Sequence, residues 1–170
     1  MKHIVSLLFF FLLSAMTHGA STAIAQDLTK VLPPDPGRAG KVTLEGIDSD
    51  KDGVRDDVQR WIALTYPNSE KTREALTQII KARQRTLLDA ADPVKSHQNA
   101  IDRNRRTDCL SYVRPDDFYN HMSESKAIML NTYLRSKTWV QADRHLSGHM
   151  FSILDDPKEG CNFDPDAMAN

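Results

Sequence analysis

The sequence predicts an all-α protein: a single domain of four or five helices with an extended N-terminal arm. Three observations lead there. From residue 54 onward apolar residues recur at spacings of three and four, the period of a helix face. Capping residues and prolines then divide that stretch into helix-sized pieces. The only short run suited to a strand, Val42-Thr43-Leu44, stands alone, and no segment repeats or is of low complexity.

Residues 26–47 form the arm. Pro33, Pro34, Pro36, Gly37 and Gly40 cannot share a helix, because proline removes a donor and glycine loses the most backbone freedom on ordering. Val54, Val58, Trp61, Ile62 and Thr65 then line one face of a first helix, which Tyr66-Pro67 ends, since a residue before proline avoids the helical region. Asn68 or Ser69 caps a second helix with Glu70 in its first turn, an inner stripe of Leu76, Ile79, Ile80, Arg83 and Leu87, and an end near Asp89. Asp92-Pro93 starts a third, proline being pre-organised for the first helical position. Val94, Ala100, Ile101 and Leu110 are its few apolar anchors, and Arg114-Pro115 breaks it. Asp116 caps the next helical stretch, which runs through Phe118, Met122, Ile128, Met129, Tyr133 and Leu134 towards His145 and admits a kink. Gly148 is the expected stop, and the tail with Pro157, Gly160 and Pro165 is irregular. The Phe118-Met122-Met129-Tyr133 stripe is read as core.

The first residues read as a processing signal. Lys2 and His3 precede an apolar run from Ile4 to Leu13, and Ala23-Ile24-Ala25 presents small residues where a signal peptidase cuts. Residues 1–25 are therefore expected to be a signal peptide. The run is about ten residues, and a membrane-spanning helix needs roughly twenty, so a retained anchor is the lesser alternative and no transmembrane segment is expected in the mature chain. The expected address is periplasmic or secreted. With a net charge of −1 and 7% aromatic residues, the chain has neither the field nor the stacking surface of a nucleic-acid binder.

Two cysteines, Cys109 and Cys161, are an even number in an exported chain and read as a disulfide. A bridge over about fifty residues is worth roughly 4 kcal/mol on the chain-entropy model. A nucleophilic or metal-bound thiol would want a CxxC or Cys–His companion motif, and none is present.

The most specific stretch is Asp48-Ser49-Asp50-Lys51-Asp52-Gly53. Carboxylates at alternate positions, followed by the glycine that a sharp turn needs, come round to one centre and offer hard oxygen ligands. Two carboxylates about 5 Å apart repel by roughly 3 kcal/mol at an effective dielectric of 20, so such a loop favours a cation. The candidate ligands are the side chains of Asp48, Asp50 and Asp52, the carbonyl of Val54, Asp56 directly or through water, and Gln59 at the twelfth position, within a loop of residues 48–59 that opens the helical domain 48–170. The alternative is an Asp-rich turn that only caps the following helix.

The run from Asp48 to Asp56 resembles the EF-hand loop, and more closely the short calcium loops of thrombospondin type 3 repeats and of bacterial exported proteins. The resemblance covers about a dozen residues and implies calcium coordination by the groups just named. It departs from the EF-hand at Gln59, where a bidentate Glu is usual, and at Arg55, where a hydrophobic residue is usual. The arm replaces the entering helix, and Asp57 or an acid from elsewhere is left to complete the shell. A single copy argues against a dockerin. The wider phrase from Gly46 to Trp61, with Leu146-Ser147-Gly148 later, also resembles a group of exported bacterial proteins and implies no activity.

Other features weigh less. His145 and His149 have the i, i+4 spacing of metal ligands, but Gly148 intervenes and no acid completes the motif. Arg103, Arg105 and Arg106 read as a solvated face with local ion pairs. No nucleophile elbow, phosphate loop or dinucleotide fingerprint appears. The leading expectation is an exported calcium-binding protein that acts on an unidentified protein partner or in the envelope, leaning away from catalysis. One alternative is a small secreted hydrolase drawing on Asp116, Asp117, His121 and His145. The other is a metal-free protein binding anionic surfaces through Arg103 to Arg106.

Overall fold

A computed structural model of the chain describes residues 31–169. The expected signal peptide and residues 26–30 of the arm lie outside the described residues. Within them the fold is all-α, with five helices and no strand: α1 (Asp56–Thr65), α2 (Glu70–Leu88), α3 (Pro93–Val113), α4 (Phe118–Met129) and α5 (Tyr133–Arg144). Two short 3-10 turns flank them, at Ala39–Lys41 in the arm and Pro157–Gly160 in the tail. No helix among the described residues is long and apolar enough to cross a membrane.

Local chemistry sets most boundaries. Ser69 caps α2 by accepting from the Thr72 amide. Asp92 caps α3 by accepting from the amides of Val94 and Lys95, with Pro93 at the first position. Thr132 caps α5 through the Arg135 amide at 3.2 Å. The single stretch expected from Asp116 to His145 is two helices, because Asn131 and Thr132 turn the chain and restart it. Its first residues also differ from expectation. The residue before α4 is Asp117, whose carboxylate is held by Arg114 and makes no cap bond.

α2 is the central element. It packs against all four other helices. Its stripe of Leu76, Ile79, Ile80 and Leu87 is fully buried, each side chain worth about 1.5–3 kcal/mol of transfer free energy. Val58 and Ile62 of α1, Leu110 of α3, Met129 of α4 and Trp139 of α5 close the core around it. Three expected anchors are exposed instead: Val94 and Ile101 of α3, and Tyr133 at the start of α5.

The tail is tied down covalently. Cys109 in α3 and Cys161 form a disulfide that closes a separation of 52 residues. Gly160 makes that approach possible, since a Cβ there would collide with the Arg105 carbonyl and lie 2.8 Å from the Cys109 nitrogen. Arg106 adds a bond from its guanidinium to the Gly160 carbonyl at 2.9 Å.

Buried arginines organise the other end. Arg135 of α5 is fully buried and donates to the carbonyls of Leu44, Thr43 and Gly40 in the arm and to Asn131 Oδ1. Arg55 donates to the Met129 and Ile128 carbonyls, satisfying the C-terminus of α4. Gly46, at φ +75°, passes over this pair: a Cβ there would lie 2.5 Å from Arg55 Cδ and 2.8 Å from an Arg135 nitrogen. The arm is therefore irregular yet anchored.

Candidate metal centre

The loop ahead of α1 is closed at its base by the Asp56 amide donating to the Ile47 carbonyl at 2.8 Å. Between them the backbone turns through left-handed conformations at Lys51, φ +60°, and Gly53, φ +89°. Glycine takes that geometry without strain, which is what the sequence pattern asks of position six. The turn gathers Asp48, Asp50 and Asp56, with one oxygen of each lying within 4.8 Å of the others. Oxygens on opposite sides of a calcium ion at about 2.4 Å are about 4.8 Å apart, so the three fit around one hard cation. Asp56 is buried, Asp48 half-buried and Asp50 exposed, which leaves one side open to solvent.

Backbone amides hold these carboxylates in place. Asp48 accepts from the amides of Asp52 at 3.2 Å and Gly53 at 3.0 Å, and Asp56 accepts from the Ser49 amide at 2.9 Å. Asp50 accepts from the Asp52 amide at 3.3 Å and from Gln59 Nε2 at 2.9 Å. The Gln59 bond holds the Asp50 carboxyl below the usual carboxylate range. An ionised carboxylate offers about four lone-pair sites, so each retains capacity for a cation.

The remaining expected ligands fall as follows. Asp52 is outside the group of three: its Oδ1 accepts from the Val54 amide at 2.7 Å and its Oδ2 is 3.9 Å from Lys81 Nζ. Partial burial pushes its carboxyl upward from the usual range. Val54 is buried at the entry to α1. Gln59 reaches back from the first turn of α1 towards Asp50, and its Oε1 is buried with no hydrogen-bond partner among the described residues. Such an orphaned acceptor costs free energy unless a donor or a cation meets it. The carboxylate oxygens of Asp48, Asp50 and Asp56 are the hard ligands that a metal ion of oxygen preference takes.

Asp57 does not complete the group. Both its oxygens are engaged by Arg55, at 2.9 and 3.2 Å, and Asn131 donates to it at 3.1 Å. The position-eight Arg55, a departure from the EF-hand pattern, thus joins the loop to the end of α4. The one sequence signal for this role was that departure.

No protein-family model, no curated protein and no solved structure matches the chain. The site stands on its own geometry: a small acidic cluster in an all-α domain, able to hold a metal ion.

The other residues singled out are dispersed. His145 ends α5, while His149 lies beyond Gly148 and its ring packs 4.4 Å from that of His97. Among the described residues, Asp48, Asp50 and Asp56 form the one group of His, Cys, Asp or Glu suited to a metal. His121 of α4 bridges Asp117, at 3.1 Å, and the Tyr66 hydroxyl, at 2.7 Å, inside a buried contact. No hydrogen bond or ion pair ties Asp116 or His145 to that group. Arg103 does not lie on a solvated face, because its guanidinium covers the Trp139 ring at 4.6 Å.

Proposed function

We propose that the protein is an exported helical domain whose loop 48–59 takes up one calcium ion, and that the ion is structural. The observation that carries this reading is the convergence of Asp48, Asp50 and Asp56 beside the unpartnered Gln59 Oε1. A calcium ion bound there offsets the repulsion of the three carboxylates and gives the buried amide oxygen a partner. The Val54 carbonyl, and Asp52 after a side-chain rotation, are the further ligands from the loop. A structural role is supported by the single helix that follows the loop. A sensor opens a pair of helices, and among the described residues the stretch 32–47 just before this loop contains only the turn at Ala39–Lys41. Residues 1–25 act as the signal peptide, and millimolar calcium outside the cytoplasm makes a modest affinity sufficient. The domain then serves a protein partner or the envelope rather than a reaction.

The test is calcium titration of the mature protein by calorimetry, together with thermal melting in calcium and in chelator. At ten times the dissociation constant, calcium adds about 1.4 kcal/mol, or roughly 4 °C for a domain of this size. Asp50→Asn should abolish the response, because Asp50 is exposed and its loss leaves the core intact. Equal melting temperatures in millimolar calcium and in chelator, with no heat of binding, would sink the reading.

A further inference from the structure

A second site lies away from the loop, where α2, α3, α4 and α5 meet. Arg83, Arg103, Lys126 and Asp143 share a cavity of about 370 Å³ with Met122 and Trp139. Three cations face one acid there, and the acid is weakly engaged: Asp143 is 3.7 Å from Arg103 and exposed. Arg83 is only 3% exposed. Its two terminal nitrogens donate to Ser125 Oγ at 2.6 Å and to the Met122 carbonyl at 3.1 Å, while its Nε has no partner among the described residues. One terminal nitrogen of Arg103 is likewise buried without a partner. Lys126 Nζ lies 4.9 Å from the centre of the Trp139 ring, which the Arg103 guanidinium also meets at 4.6 Å.

Buried cations are ordinarily paired, because desolvation without a counter-charge is costly. We propose that this cavity is a binding site for a phosphate dianion, either inorganic phosphate or the head of a small phosphomonoester. The excess of two positive charges matches a dianion better than a monocarboxylate. The Arg83 and Arg103 guanidiniums that line the cavity would supply the charge-assisted bonds that phosphate oxygens accept, and Lys126 adds a point charge. Met122 and Trp139 provide an apolar wall for an organic body, and the volume lies in the small-molecule range. Burial also holds the Arg83 guanidinium down to about 9, with Arg103 adding to the effect, and it lowers Arg103 and Lys126 in the same direction. A bound dianion would oppose all three shifts. The site shares no residue with the calcium loop, so the two readings stand or fall separately.

The whole chain is titrated by calorimetry with inorganic phosphate and with phenyl phosphate in a calcium-free amine buffer near neutral pH, with acetate as control. Saturable binding of phosphate and none of acetate is expected. Tighter binding of phenyl phosphate assigns the site to an organic monoester, and equal or weaker binding assigns it to the free ion. Lys126→Gln and Arg103→Gln should each weaken binding by about tenfold, equivalent to roughly 1.4 kcal/mol. Lys126 is exposed, so its variant keeps the fold and the test survives if Arg103→Gln does not. The proposal is overturned if neither phosphate saturates below about 10 mM, or if binding is unchanged in the Lys126 variant.

Discussion

Replacing Arg55 by methionine tests the junction between the loop and the helices. Arg55 is 1% exposed and makes four bonds: two to Asp57, at 2.9 and 3.2 Å, and one each to the Met129 and Ile128 carbonyls, at 3.0 and 3.1 Å. Methionine fills much of the aliphatic volume but supplies no donor. Asp57 keeps only the Asn131 amide, and the two carbonyls at the end of α4 lose their side-chain donor. Breaking a buried ion pair by removing one partner costs about 3–5 kcal/mol. The Asp57 side chain is 21% exposed, so water recovers part of that loss. The stranded carbonyls add about 1 kcal/mol each. The expected loss is therefore about 4 kcal/mol, a large share of the ~5–15 kcal/mol that holds a domain together. Urea denaturation followed by far-ultraviolet circular dichroism measures it. Adding Asp57→Asn to the same chain removes the stranded charge, so the double variant should be at least as stable as Arg55→Met alone. A loss below about 1 kcal/mol, or full additivity of the two changes, would refute the reasoning.

Removing the disulfide with Cys109→Ser and Cys161→Ser should cost about 4 kcal/mol, from the chain entropy of a separation of 52 residues; the urea midpoint should fall while the helical spectrum at zero denaturant is retained. At high pH, Tyr66 should ionise late. Burial and the nearby Glu124 raise its phenol to about 12. A raised acid pKa means the neutral form is favoured in the fold. Its contribution is thus intact below pH 10, the unfolded value, and is lost as pH climbs towards 12. Ultraviolet titration should show one of the four tyrosines titrating last, and Tyr66→Phe should remove that step.

Elements governed by neighbours in the chain were readable before folding. Ser69 and Asp92 cap α2 and α3 because a short polar side chain reaches amides two or three residues on. The α2 stripe was readable because one side of that helix packs on the other helices while Arg85 and Leu88 stay exposed, so its period is preserved in burial. The turn through Gly53 and the pairing of Cys109 with Cys161 followed from spacing, composition and cysteine count. The weak points were α3 to α5. There Val94, Ile101 and Tyr133 are apolar but exposed, and hydrophobicity alone does not say which surface a neighbour will cover.

By itself, then, the sequence determined an all-α domain, most of its helix boundaries, a cross-link and an acidic turn, all set by groups close along the chain or by cysteine count. Only the tertiary structure decided which oxygens of that turn converge, with Asp56 inside the group and Asp52 beside it. It also decided where the arginines go. Arg55 and Arg135 look like surface residues, and Arg83 stands on the inner stripe with no visible partner, until carbonyls and hydroxyls arrive from 39 to 95 positions away to receive them. A guanidinium is buried only where such distant acceptors meet it, and no local pattern encodes that meeting.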